Sequence, residues 1–98
     1  MENNSILAKV DYIIQAVLKK DDSPDCLRNL LSLSKEHTND MVRGRVFGWS
    51  VSDYAIASLK WINTVRSNSM FDEVFESLPV GRRQEVNELI AKEIYKQY

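Results

Sequence analysis

Cysteine and histidine are nearly absent from this 98-residue sequence, which holds one of each, Cys26 and His37. A lone cysteine excludes an internal disulfide framework, and the two together fall short of the ligand set of a structural zinc site. An excess of one charge is missing as well. Thirteen Lys+Arg stand against 14 Asp+Glu, a formal charge of −1, which provides no general attraction to nucleic acid or to an anionic membrane. No apolar run approaches the ~18 residues of a membrane span, and no charged n-region leads into an apolar h-region. The chain has no internal repeat, low-complexity tract or Ser/Gly-rich linker, so residues 1–98 are read as one domain. Phosphate-cradling G-x-x-x-x-G-K-[ST] and G-x-G-x-x-G motifs, the D-x-D-x-D-G calcium loop and the nucleophile signatures G-x-S-x-G and S-x-x-K are all missing. No metal or other cofactor is expected, and no residue is nominated as catalytic.

What is present is an ordinary globular composition, 44% hydrophobic and 28% charged, in a chain long enough to bury about two-thirds of its unfolded surface. The apolar residues recur mostly at helical steps. Ser5 is expected to cap a first helix on which Ile6, Leu7, Val10, Ile13, Ile14, Val17 and Leu18 form one face, closed by Lys19 and Lys20. Ser23-Pro24-Asp25 reads as a cap, a first helical residue and a dipole-favoured acid. The helix it opens carries Cys26, Leu27, Leu30, Leu31 and Leu33 and should stop between Glu36 and Thr38. Residues 39–49 admit two readings. Val42, Val46 and Trp49 sit at helical steps, with Gly44 and Gly48 on one face for close packing, and we read a short helix. The alternative is a bent extended segment, because Val42, Gly44, Val46 and Gly48 also alternate with larger side chains.

Ser50 with Asp53 forms a capping-box-like start. The helix that follows is expected to run to about Arg66. Its apolar residues (Val51, Tyr54, Ala55, Ile56, Ala57, Leu59, Trp61, Ile62, Val65) cover so much of its circumference that it should be the hub of the fold. Ser69 and Asp72 repeat the cap logic for a short helix with Met70, Phe71, Val74, Phe75 and Leu78. A last helix over about Arg82 to Lys96 buries Val86, Leu89, Ile90 and Ile94, with Gln84, Glu85, Glu88 and Lys92 on its solvated side. The fold class implied is all-α, a compact array of five to six short antiparallel helices.

His37 reads as a surface or helix-end side chain, and Cys26 as a small buried hydrophobe. The serines read as caps. Two acidic clusters, Asp21/Asp22/Asp25 and Asp72/Glu73/Glu76, fall at loops and first turns, where they complement helix dipoles. Positive charge gathers instead in the middle of the chain, where Arg43, Arg45, Lys60 and Arg66 lie among Phe47, Trp49, Tyr54 and Trp61. That mixture suits either a nucleic-acid surface or an aromatic hot spot for a protein partner. In the first case, residues 43–62 would form a helix-turn-helix with its turn at Gly48. Val51-Ser52-Asp53-Tyr54 followed by Ala55 to Leu59 resembles the recognition-helix region of small bacterial fimbrial-operon regulators. Asn39-Asp40-Met41-Val42-Arg43 resembles the Asp-x-Val-Arg opening of a HEAT-type helix, which favours a helix there.

The small size, mild acidity and lack of catalytic motifs resemble the profile of immunity proteins, antitoxins and phage-encoded inhibitors. The expectation is therefore a non-enzymatic, cytoplasmic binding protein that occludes a partner protein such as a basic toxin or nuclease. Asp21, Asp22, Asp25, Asp72, Glu73 and Glu76 would supply charge complementarity, and Trp49 an aromatic anchor. Trp61 is expected in the core. The alternative is a nucleic-acid-binding regulator using Arg43, Arg45, Lys60 and Arg66. A homodimer through the last helix is a third arrangement, and no membrane partner is expected.

Overall fold

The computed structural model describes residues 2–37 and 44–98, and the side chains from Ile6 onward within them. Helices α1 (Glu2–Lys19), α2 (Pro24–Leu33), α3 (Val51–Ile62), α4 (Val65–Glu76) and α5 (Val80–Lys92) carry the fold. A two-residue hairpin, β1 (Arg45–Val46) and β2 (Trp49–Ser50), precedes α3, and a 3-10 turn, Ile94–Gln97, follows α5. Among the described residues the protein is all-α apart from that hairpin.

The hub is α3, as its apolar circumference requires. Eleven of its 12 residues are buried, and α1, α2, α4 and α5 all pack against it. Tyr54, Ile56, Leu59 and Ile62 are fully enclosed, with Ile13, Ile14, Leu30, Val86 and Leu89 arriving from the surrounding helices. Each such side chain contributes about 1.5–3 kcal/mol on leaving water, so truncating Leu59 to alanine would cost about 2–5 kcal/mol. Trp61 lies in the core as expected. It donates from Nε1 to the Ile90 carbonyl at 3.1 Å and tilts against Tyr95, with ring centroids 5.1 Å apart.

The helix ends follow local chemistry, with some displacements from the sequence reading. Ser23 caps α2 by accepting from the Cys26 amide at 3.3 Å, and Pro24 opens the helix. The helix stops at Leu33, earlier than expected, and turn hydrogen bonds from Lys35 and Glu36 carry the chain out. Ser5 lies inside α1 rather than at its cap, since α1 already begins at Glu2. The largest displacement is at the end of the hub. Asn63 takes a left-handed conformation (φ 56°) and terminates α3, and Thr64 caps α4 in a reciprocal box with Ser67. The break is therefore at Asn63–Thr64, not at Ser67–Ser69, because asparagine tolerates positive φ and threonine supplies the cap. Likewise Glu93, at φ 48°, ends α5 short of Lys96 and folds the last residues into a separate turn.

Residues 44–50 correct a second expectation. They form the extended alternative, an antiparallel hairpin pairing Arg45 with Ser50 and Val46 with Trp49. Gly44 and Gly48 therefore do not form a helical face. Phe47 and Gly48 both take positive φ, 55° and 93°, the backbone that two-residue hairpin turns need to match strand twist. Residues 39–43, including Arg43 and the HEAT-like motif, lie outside the described residues.

Candidate functional site

The densest polar cluster is at the N-terminus of α3. Ser50 Oγ accepts from the Asp53 amide at 3.3 Å, and Asp53 Oδ2 accepts from the Ser50 amide at 3.1 Å. Asp53 is fully buried, so its charge must be matched within the protein. Arg82 of α5 supplies the match, donating from Nη2 to Asp53 Oδ1 at 2.9 Å and to Ser52 Oγ at 2.8 Å. Ser52 Oγ in turn donates to the Ser34 carbonyl, and the Ser52 amide to that of Glu36 at 3.2 Å. The cluster ties α2, α3 and α5 together.

His37 joins it, with Nδ1 3.1 Å from Ser50 Oγ. The sequence suggested a surface or helix-end side chain; His37 is half-buried, just past the end of α2 and against the cap of α3. Serine, histidine and aspartate thus meet, but without the geometry of a nucleophilic triad. Both Asp53 oxygens are engaged by Ser50 and Arg82, so the acid does not orient the imidazole. Ser50 itself is fully buried, leaving its hydroxyl no access to a substrate. The arrangement is a clamped helix cap.

The same cap sets the hairpin. Arg45 Nη1 donates to the Gly48 carbonyl at 2.9 Å and to Glu85 Oε2 at 3.2 Å. Trp49 Nε1 donates to the Glu85 carbonyl at 3.1 Å. From α3, the Tyr54 hydroxyl donates to the Val46 carbonyl at 2.7 Å, and burial pushes that phenol's pKa well above its ordinary value. Three side chains thereby hold a seven-residue excursion rigidly, and at its tip Phe47 is 74% exposed. Beside the tip is a hollow of about 350 Å³ lined by Phe47, Trp49, Lys92, Ile94 and Gln97. A bulky residue in the left-handed region costs about 1–2 kcal/mol, and leaving a phenylalanine in water forgoes a further ~2 kcal/mol of burial.

A second apolar surface opens between α2 and α4. This groove, of about 670 Å³, is lined by Pro24, Leu27, Leu31, Val65 and Met70, with Arg28, Arg66, Ser69 and Glu73 beside them. Val65 is 89% exposed. Of the two acidic clusters expected from the sequence, only Glu73 lines it, beside Arg28 and Arg66. Asp25 lies in the first turn of α2, preceded in the loop by Asp21 and Asp22, and Asp72 and Glu76 lie on α4 without lining the groove. Asp25 is 3.3 Å from Arg28. The Ser23 amide, donating to Asp21 Oδ1 at 3.0 Å, holds that carboxyl below the usual range.

Among the described members of the expected basic surface, Arg45, Lys60 and Arg66 make separate contacts. Only Lys60 of α3 is exposed, 5.3 Å from the Phe71 ring centroid. A helix buried on all its other sides cannot enter a groove of DNA, which corrects the helix-turn-helix reading of residues 43–62. The Arg45 side chain is 6% exposed and paired with Glu85, and Arg66 lies on the α2–α4 groove. Trp49 is half-buried with its N–H committed, so the exposed aromatic of the hairpin is Phe47, two residues earlier. Sequence reasoning passed over Phe47, Val65, Arg82 and Glu85. Reading Phe47-Gly48 as a hairpin turn would have put the first of these on the surface. Cys26 is buried as expected, and desolvation raises its thiol pKa.

No helix among the described residues is long and apolar enough to cross a membrane. No family model, curated protein or solved structure matches the chain.

Proposed function

We propose that this chain is a non-enzymatic binding protein of the inhibitor, immunity or antitoxin type, which acts by occluding a surface of a partner protein. The observation that carries this reading is Phe47: a large aromatic, 74% exposed at the tip of a hairpin and held at positive φ. A turn that served only to reverse the chain would place Asn or Gly there. Strain and exposure together are characteristic of contact points completed by another molecule. The anchoring by Arg45, Trp49 and Tyr54 lowers the ordering cost of binding, because the aromatic is already fixed before the partner arrives. Aromatic residues so presented dominate interface energetics. The acidic clusters Asp21/Asp22/Asp25 and Asp72/Glu73/Glu76 favour a partner of basic character, such as a basic toxin or nuclease, through their effect on encounter and register.

The test is capture from nuclease-treated native lysate by immobilised protein, with wild type and Phe47→Asn compared by mass spectrometry. The reading expects one dominant protein retained by wild type after digestion and lost with Phe47→Asn. Retention that disappears on nuclease digestion, or is equal for both proteins, would overturn it.

A further inference from the structure

We infer that the hollow beside the hairpin tip receives a large apolar side chain of the partner that is flanked by an aspartate or glutamate. The inference rests on the partner-binding reading above and adds to it the chemistry of the segment that meets Phe47. The hollow opens where the hairpin stands against the end of α5 and holds about 350 Å³ between Phe47, Trp49, Lys92, Ile94 and Gln97. That is the low end of the range of ligand pockets, with room for one large side chain rather than an extended ligand. Its apolar walls are set by the fold. Trp49 is held through Nε1 to the Glu85 carbonyl at 3.1 Å, and Ile94 is buried. A side chain seated there covers its surface against two aromatic rings that need little reordering.

The lining itself specifies the charge of the occupant. Among the described residues it holds one ionic side chain, Lys92, and no carboxylate. The acids around Lys92 are engaged elsewhere or stand apart from it. Glu93 pairs with Lys96 at 3.1 Å and Glu85 with Arg45 at 3.2 Å. Lys92 is exposed and has no ion-pair or hydrogen-bond partner among the described residues, Glu88 one turn earlier included. The last turn of α5 is a favourable place for a cation, yet it leaves the ammonium open to a carboxylate from outside. An unpaired lysine at the edge of an aromatic hollow selects an anion next to an apolar group, and the Gln97 amide on the same lining offers a further donor. A second copy of this chain has the wrong charge for the place, since residues 41–52 around its own Phe47 include Arg43 and Arg45 and no acid. A free chain end is captured by nests of backbone N–H groups, whereas the anion receptor here is a lysine side chain. The contact is therefore locally acidic on the partner, while the two acidic clusters, none of whose residues line this hollow, address its basic surface. Opposite charges at separate places fix the register of docking.

The probe is the blocked peptide acetyl-Gly-Phe-Asp-Gly-amide, titrated into the full chain and followed by amide and indole shifts in two-dimensional NMR. Its controls carry Phe-Asn or Gly-Asp at the central pair, and a fourth peptide, acetyl-Gly-Phe, ends in a free carboxylate. The Phe-Asp peptide should give saturable shifts centred on residues 47–49 and 92–97. The Phe-Asn peptide should bind about two- to fivefold more weakly, the range of an exposed ion pair, and the difference should shrink as salt rises. The Gly-Asp peptide should bind about tenfold more weakly or worse. Lys92→Gln should erase the preference for Phe-Asp over Phe-Asn, and Lys92→Glu should reverse it in favour of a Phe-Lys peptide, which a lysine serving only the helix dipole would not do. Because Lys92 is exposed and unpaired, both variants should keep the wild-type circular dichroism. Equal binding of Phe-Asp and Phe-Asn, a preference that survives Lys92→Gln, shifts centred elsewhere or no saturable shift would overturn the inference. So would tighter binding of the free-carboxylate peptide, which points to a chain end, or a dimer in sedimentation equilibrium that is lost with Phe47→Asn, which points to a second copy. If a lysate partner is nonetheless lost with Phe47→Asn, only the assignment of the hollow falls. If no protein is retained at all, the reading beneath it falls as well.

Discussion

Arg82 is the residue on which the α3 cap depends most, and removing it should show how the hub is held. Asp53 is fully buried and meets Arg82 at 2.9 Å, while Arg82 retains 16% side-chain exposure. The two partners are therefore not equivalent. Arg82→Leu leaves a carboxylate in the interior with only the Ser50 amide for company, and breaking a buried pair from one side costs about 3–5 kcal/mol. Adding Asp53→Asn removes the stranded charge and keeps an acceptor for the Ser50 amide. The double variant should then lose only about 1–2 kcal/mol, close to the value of the lost hydrogen bonds. The measurement is urea unfolding by far-UV circular dichroism, with midpoint shifts read at constant m-value and the pair assembled into a double-mutant cycle. A domain of this length has about 5–15 kcal/mol in total, so Arg82→Leu sits near the limit of folding, and Arg82→Lys provides a milder variant of intermediate effect. A loss below about 1 kcal/mol for Arg82→Leu, or a double variant as damaged as the single, would refute the view that a buried ion pair locks this helix end.

Other outcomes follow from the same contacts. Phe47→Asn should stabilise the fold by about 1 kcal/mol by relieving positive-φ strain, seen as a rise in thermal midpoint of about 4–8 °C; a fall would show that Phe47 packs usefully within the chain. The raised pKa of Tyr54 means that the native phenol holds its proton while the unfolded chain ionises near 10.0. Its stabilising contribution is intact below that pH and is lost as pH rises above it, by up to about 1.4 kcal/mol per pH unit. Tyr54→Phe should flatten that alkaline decline in a pH series of urea melts, at the cost of the hydrogen bond to Val46. Cys26, buried and with its pKa raised, should react with a disulfide reagent only as fast as the protein opens, so labelling should accelerate in step with added urea.

Much of this architecture could be read locally. The Val10–Val17 face of α1, the face of α2, the Ser23-Pro24 start and the Ser50–Asp53 box are encoded within a few residues of one another, whereas Leu7 and Leu18, read onto the same face of α1, are exposed. The breadth of the apolar surface over residues 51–62 identified the hub. The harder stretches were those where two periods fit the same residues. Val42 to Trp49 satisfies both a 3.6 and a 2.0 repeat, and the positive φ of Phe47 and Gly48 decides for the hairpin. Asn63 and Thr64 interrupt a run that otherwise reads through to Arg66, because cap geometry outweighs continuing periodicity. Long-range pairing was not legible at all. Glu85 reads as a solvated residue of the last helix, yet it meets Arg45 across 40 positions of sequence, and nothing near Asp53 announces that Arg82 will neutralise it. The acidic clusters were visible as clusters, but that Glu73 alone of them lines the α2–α4 groove, beside Arg28 and Arg66, is a property of the packing.

The central claim is that Phe47 is the point of contact with a partner protein. The most direct measurement replaces Phe47 with the photo-crosslinking analogue p-benzoylphenylalanine and, in a parallel protein, places the same group at Val80, which is 72% exposed and lies outside the proposed contact surface. After irradiation in the native lysate, the account expects one dominant protein crosslinked from position 47 and not from position 80. No adduct from position 47, or the same set of adducts from both positions, would contradict it.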